Sequence, residues 1–476
     1  MHPAESTPIP APAAPVPSVG RSILQAFKGA HHDYTTAPLQ RAVILLAVPM
    51  VMEMLMESLF AIADVFWVSH LGKEAVAAVG LTESLMTLIY AIAIGLSIAS
   101  AAVVARRIGE RDPTAASEAA GQTIVLGTVI AALIGLGMGS CSSGLLAALG
   151  AEPAVIAQCG IFTRIMLGGN ITVFLIFLIN SIFRGAGDPV FSMRTLWLAN
   201  GLNIALAPCF IFGLGPFPRL GIAGAAVATN LGRGTGIVYQ LWHLAGGRSR
   251  ITVRLRNLRP DLAVMRSLLR LAGNGMAQFM ISMTSWLGLF KILALFGSST
   301  LAGYTISARI VVSALMPAWG LSNAAATLVG QNLGAREPAR AEESVRIAVR
   351  SNLVFLGSIG LIFLVGAPGI IRIFTADPVV YSNGVTALRI VSLGFPLFAC
   401  GMCYQAAFNG AGDTWTPTRL NFYFQWLMQV PLAWTLSRGL GLGPLGVYIA
   451  VPVSFAGLAL SGGVLFKRGG WKTKQV

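Results

Sequence analysis

The chain has 476 residues, 55% of them hydrophobic and 11% charged, with a formal net charge of +15. A soluble globular chain carries roughly 25% charged residues, so a soluble enzyme, a disordered chain and a nucleic-acid-binding module are excluded. The apolar runs also lack the period-two alternation of a transmembrane β-barrel.

Residues 1–40, rich in Pro, Ala and Ser up to about residue 36 and without a signal-peptide h-region, are predicted to be a disordered cytoplasmic tail. Apolar stretches long enough to cross a bilayer then follow one another. An N-lobe over 41–246 has predicted spans at about 42–68, 77–103, 116–140, 156–182, 192–213 and 221–245. A basic linker, 247–265, leads to a C-lobe over 266–467, with spans at about 268–296, 302–328, 350–370, 385–408, 418–437 and 445–466, and a basic tail at 468–476. The expected fold is an all-α membrane protein of 12 transmembrane helices in two pseudo-symmetric six-helix bundles. About 24 basic residues fall on one side of this topology and about 6 on the other, which puts both termini in the cytoplasm. Cys400-Gly-Met-Cys403 spells C-x-x-C, but inside an apolar helix it reads as buried thiols rather than a redox pair.

The two halves match at an offset of 225 residues. Gly109-Glu110-Arg111-Asp112-Pro113 falls on Gly334-Ala335-Arg336-Glu337-Pro338, and Phe183 to Asp188 falls on Phe408 to Asp413. Gly72 falls on Gly297, Glu152-Pro153 on Asp377-Pro378, Arg164 on Arg389, Arg194 on Arg419 and Leu220-Gly221 on Leu445-Gly446. Six spans return the chain to its starting side, so the repeats are parallel, related by an axis along the membrane normal. Two such lobes enclose a central cavity, the architecture of an alternating-access transporter. No G-x-x-x-x-G-K-[ST] motif is present, so the chain does not hydrolyse ATP and an ion gradient must drive it.

The first span supplies the coupling groups. Glu53, Glu57 and Asp64 fall within an arc of roughly 40° on one helix face. An acid at a helix centre costs about 2.5–3.5 kcal/mol to insert, so the stripe is expected to face a wet cavity and to exchange protons. Capping, or pairing with an Arg of another helix, stays open for Glu53 and Glu57. At the repeat offset these acids become Gln278, Ser282 and Leu289, which places coupling in the N-lobe. Lys291, Arg233 and Arg309 also lie within spans; Lys291 can snorkel or line the cavity, and both arginines need partners that the sequence does not name. Pro49 removes a helical hydrogen bond some 15 residues before Asp64 and predicts a kink. Tyr90, Gln278, Met283, Trp286, Lys291 and Tyr304 are the expected substrate-cavity residues, with Met52, Met56, Met276 and Met280 as further adaptable wall.

Leu46-Ala47-Val48-Pro49, Ala63-Asp64 through Leu71-Gly72, Phe183-Arg184-Gly185-Ala186-Gly187-Asp188, Gly221 through Thr229 and Val329-Gly330-Gln331-Asn332-Leu333-Gly334 stand in order along the chain. Together they resemble the MATE (multidrug and toxic compound extrusion) family, and within it the DinF-like branch. The resemblance implies a first helix that bends at Pro49 and an N-lobe cation site built from Asp64, Asn203 and Thr229. Ala207 stands where the family pattern has a further Asp. A sodium ion would lose a carboxylate ligand there, so protons are expected rather than sodium. The resulting expectation is an ion-coupled antiporter, without a cofactor, monomeric in a bacterial inner membrane. Its partners would be membrane lipids and small organic substrates, cationic or amphiphilic, and not nucleic acid. The alternative is a flippase for a lipid-linked precursor. A membrane-embedded enzyme is disfavoured because the histidines (His2, His31, His32, His70, His243) are terminal or near helix ends.

Overall fold

The structure, a computed structural model, describes residues 19–29, 33–247 and 249–474. After a short helix α1 (Val19–Lys28), the N-lobe comprises α2 (Leu39–Ser69), α3 (Lys73–Gly109), α4 (Pro113–Ser140), a short α5 (Ser142–Ala148), α6 (Pro153–Gly168), α7 (Ile171–Ala186), α8 (Pro189–Phe212) and α9 (Ile222–Ala245). The C-lobe comprises α10 (Leu262–Ala294), α11 (Ser298–Gly334), α12 (Pro338–Phe374), α13 (Pro378–Leu393), α14 (Phe395–Gly410), α15 (Trp415–Asn421), α16 (Val430–Trp434) and α17 (Pro444–Arg468). The stretch read as a disordered tail thus contains a helix at Val19–Lys28, with Ala26 buried against α2; residues 1–18 and 30–32 lie outside the described residues.

Among the described residues, nine helical stretches are long and apolar enough to cross a membrane, with α6 and α7 forming one of them, and α13 with α14 makes a tenth, bent by 53°. The other two expected spans are helical and pack within their lobes. One is α9, whose centre carries Arg233, and the other runs from α15 to residue 439 and is broken by π-helical turns at Phe422–Gln429 and Thr435–Gly439. The helices also run past the predicted span ends. α3, α11 and α12 have 37 residues each, about 55 Å, against a hydrocarbon core of about 30 Å. Their extra turns stand out on the face that carries the basic loops, called here the basic face. The opposite end is the far face.

The repeat is visible in the backbone. Arg111 and Arg336, 225 residues apart, are the two positive-φ non-glycine residues among those described, at φ 59° and 61°. Each sits in the turn after a 37-residue helix. The match of Gly221 with Gly446 does not hold. Gly221 and Gly443 are the equivalent N-caps, with φ 57° and 59° and ψ −136° and −141°, so the final helix pairs at an offset of 222. Glycine occurs throughout these segments, and the sequence alone aligned the wrong one.

Each lobe has its own apolar core, and the lobes meet along α2 against α11 and α3 against α10. The seam obeys the same symmetry. A Cβ on Gly95 would lie 2.6 Å from the Ala272 carbonyl, and one on its repeat mate Gly320 would lie 2.6 Å from that of Met50. On Gly109 it would lie 2.0 Å from the Gln331 carbonyl, and on Gly334 2.2 Å from that of Arg106. All four glycines lie in the basic-face halves of their helices. Both chain ends fasten this side. Arg340 of α12 donates to the Tyr34 carbonyl (3.3 Å) and to the Ala37 carbonyl, and the Arg250 guanidinium lies over the buried Tyr34 ring. Arg106 donates to the Lys474 carbonyl at 2.7 Å, and the Lys474 ammonium lies 3.6 Å from Asp413.

Candidate functional site

The three acids lie from the middle of α2 toward its far-face end, on a helix that packs against α8 and α11. Their surroundings differ from the expected wet stripe, because Glu53 and Glu57 each have a basic or amide partner within the lobe. Glu53 is 1% exposed, and its Oε1 accepts from Arg184 Nη1 at 2.9 Å. Arg184, two residues past the predicted end of its span, lies in the last turn of α7 and reaches inward. Glu57 accepts from Asn200 Nδ2 of α8 at 2.9 Å. Asp64, partly buried one turn from the end of α2, lies within electrostatic range of Arg233 and of Glu83 on α3.

Arg233 is the hub. It is 92% buried at the centre of α9 and within electrostatic range of Tyr90 of α3, Glu57 and Asp64. Burying a guanidinium far from any carboxylate would be prohibitive, and Glu57 and Asp64 are the acids within its electrostatic range. Tight packing brings the groups together. A Cβ on Gly232 would lie 2.4 Å from the Ala199 carbonyl, so α9 presses against α8 beside Asn200, the residue that holds Glu57. Arg309 of α11 lies within electrostatic range of Glu83. Glu83 was missed in the sequence because it sits on a different helix from the stripe.

Asn203 and Thr229 do meet. Asn203 Nδ2 donates to Thr229 Oγ1 at 2.8 Å, and that hydroxyl donates to the Ala225 carbonyl at 2.9 Å. No hydrogen bond joins either of them to Asp64 among the described residues. Ala207 is fully buried in the apolar far end of the N-lobe. Pro49 lies within α2, whose helix continues on both sides of it.

The C-lobe repeats the arrangement without charge. Gln278 and Asn409, which match Glu53 and Arg184 at the 225-residue offset, hydrogen-bond to each other at 3.4 Å, and Gln278 also donates to Gln405 at 3.2 Å. Ser282, the mate of Glu57, accepts from Asn421 at 3.2 Å. Both charges of one ion pair have become amides together, a signal present in the aligned halves. Of the other expected cavity residues, Tyr90 is half-buried and packs against Phe177, and Met283 is half-buried on α10. Trp286 is 37% exposed and packs edge-on to Phe290. Lys291 is exposed in the last turn of α10, where it can snorkel. Tyr304 differs from expectation. It is 4% exposed and stacks on Tyr448 in the C-lobe core, so it is a packing residue.

Cys403 is buried beside Ser322 and Asn352, as expected of a packed thiol. Of the histidines, His2, His31 and His32 lie outside the described residues; His70 caps α2 and His243 packs between Phe191 and Tyr239.

The MatE family model matches residues 49–209 and 272–435, one segment in each lobe. The chain is 26% identical over 446 residues to the probable multidrug resistance protein NorM of Thermotoga maritima, covering 92% of this chain and 94% of that one. Among solved structures it resembles a MATE in the straight conformation (TM-score 0.87, 26% identity, 93% of this chain and 98% of that one). It also resembles the outward-facing conformation of a multidrug resistance MATE family transporter of the MOP superfamily (TM-score 0.86, 26% identity, same coverages).

Proposed function

This chain belongs to the MatE family of multi-pass membrane transporters, and on that basis we propose that it is a proton-coupled antiporter that exports small amphiphilic, mainly cationic organic compounds by alternating access. It is a multidrug efflux transporter by family, not an enzyme. The observation that carries the coupling assignment is the N-lobe network. Glu57, held by Asn200, and Asp64, which no side chain hydrogen-bonds among the described residues, lie on one face of α2 within electrostatic range of the buried Arg233, which leaves the Asp64 carboxylate open to a proton or to a cationic substrate, but not to both at once. The C-lobe counterparts of the three acids, Gln278, Ser282 and Leu289, are all uncharged, which supports coupling in the N-lobe. The N-lobe acids, set against C-lobe spans without acids, favour the DinF-like branch. Ala207, apolar and buried, supports protons over sodium.

The same reading puts the basic face and both termini in the cytoplasm of a bacterial plasma membrane, following the positive-inside bias. The seam glycines close that side, so the conformation described is the outward-facing one. We further infer that the unit of transport is the monomer, with lobes at 41–246 and 266–467 moving about the linker 247–265. The test is transport of a cationic dye into inverted proteoliposomes under imposed proton or sodium gradients. A proton gradient should drive it and a sodium gradient should not. Asp64→Asn, a fixed mimic of the protonated acid, should lower gradient-driven transport at least tenfold while the protein still folds. Wild-type-like transport by this variant would overturn the assignment.

A further inference from the structure

The segment that joins the lobes is fastened by its backbone and presents its side chains outward. Gln122 of α4, 1% exposed, donates to the Asn257 carbonyl at 3.0 Å and to the Arg259 carbonyl at 2.7 Å, and its Oε1 accepts from the Asp261 amide at 2.9 Å. Gly121 permits the approach, since a Cβ there would lie 2.3 Å from the Asn257 carbonyl. A 3₁₀ turn at Leu255–Leu258 rests on this clamp, and α10 starts at Leu262 soon after it. Two kinds of residue point away from the protein. Leu255 is 87% exposed and Leu262 79%. Arg256 and Arg259 stand beside them, exposed, and Arg266 and Arg270 follow one and two turns into α10 on the face of Leu262. None of these four guanidiniums forms an ion pair among the described residues.

The level of this surface is fixed by the two helices that flank it. After Gln122, α4 carries no charged or amide side chain to its end, and after Arg270, α10 carries no charge before Lys291. The turn therefore lies where both helices enter the hydrocarbon, in the band of headgroups. Resting on the reading that the basic face meets the cytoplasmic leaflet, we propose that the outer surface of the linker is a docking site for anionic phospholipids. Leu255 and Leu262 enter the acyl boundary, and the four guanidiniums take lipid phosphates, which their forked donors match. A zwitterionic headgroup offsets its phosphate with its own cation, so an anionic lipid is preferred. A soluble acidic partner would use the arginines but leave both leucines in water.

The experiment places the photoreactive residue p-benzoylphenylalanine at position 262 of the full-length chain. The protein is reconstituted in nanodiscs in which phosphatidylglycerol is the minor lipid and phosphatidylcholine the major one, and mass spectrometry identifies the lipid joined to that position. Phosphatidylglycerol adducts should exceed their share of the bilayer about fivefold. Arg256→Gln combined with Arg259→Gln should return the adducts to the bulk lipid ratio. If that double variant does not fold, Arg266→Gln with Arg270→Gln takes its place with the same expected loss. Lys467→Gln with Arg468→Gln, which removes two exposed charges from the end of α17 on the same face, should leave the enrichment unchanged. Equal losses in the linker and α17 variants would reduce the effect to net charge and overturn the proposal, as would adducts at the bulk ratio in wild type. An absence of lipid adducts would also overturn it, placing the surface in water. The nanodisc carries the anionic lipid in both leaflets, so these outcomes do not depend on orientation. An inverted orientation would show separately, as failure of Cys141, exposed at the far-face end of α4, to react with an impermeant maleimide from outside intact cells.

Discussion

Replacing Glu53 by Gln leaves the Arg184 guanidinium facing an amide in a site where Glu53 is 1% exposed. Breaking one side of a buried pair typically costs about 3 kcal/mol or more, whereas replacing both sides together is often nearly neutral. Glu53→Gln and Arg184→Asn should therefore each lower thermal stability, and the double variant should recover most of the loss. Its residues are those the C-lobe already holds as Gln278 and Asn409. A double-mutant cycle on melting temperature checks this, and additive losses would show that the pair is not coupled. The halves of the sequence contained this pairing, because Glu53 and Arg184 become amides at the same offset. It went unread because Arg184 sits beside a glycine-rich turn and looks like a loop charge. Likewise, the position of Arg233 in an apolar span announced that it needed charged groups nearby, but Glu57 and Asp64 come from α2, which no local pattern connects to α9. Asp64 and the acid stripe were legible because helical spacing places them on one face. Tyr304 was misread because an aromatic in a span looks the same whether it faces a cavity or a core.

Helix identity followed from hydropathy; helix ends and irregularities did not. Hydropathy falls where a helix leaves the bilayer, although the backbone of α3, α11 and α12 continues into the basic face. The π-helical turns between α15 and α17 lie in an apolar run that gives no local sign of them. Glycine spacing at the seam has mechanical content. A methyl on Gly109 or Gly334 would collide with the backbone of the other lobe, so Gly109→Ala should hold the basic face apart. A strain of about 1–2 kcal/mol would change the ratio of closed to open states roughly tenfold. Labelling of a cysteine introduced in α11 near Gly334, from the basic side, should accelerate accordingly; an unchanged rate would show that the seam yields elsewhere. Pro49 gives an independent test on α2. If its missing hydrogen bond serves a bend during the cycle, Pro49→Ala should bind substrate normally but turn over more slowly. Unchanged turnover and pH dependence would make it a packing feature only.

At the scale of the whole molecule, the basic face is held by the N-terminal segment as well as by the seam. Burial raises the Asp33 carboxyl, but hydrogen bonds from the Thr35 hydroxyl and amide, with Arg111 and Arg250 nearby, outweigh it and hold the group below the ordinary carboxylate value. A lowered carboxylate contributes fully above its ordinary value, and the contribution is lost as pH falls through the lowered one. Acidification into that window should loosen the clasp. Spin labels at positions 110 and 343, on opposite lobes, should then report a longer mean distance, and Asp33→Asn should remove the pH dependence. A distance that changes equally in both proteins would place the sensor elsewhere. The glycine seam has one more consequence. Where backbone rests on backbone at Gly95, Gly109, Gly320 and Gly334, there is no width for a file of water molecules between the lobes. A protein that carries titratable groups through the middle of a membrane must also be an electrical insulator when idle, and this contact supplies the insulation. Vesicles containing the resting protein should therefore hold an imposed proton gradient as long as empty ones do, and Gly109→Ala should make them leak.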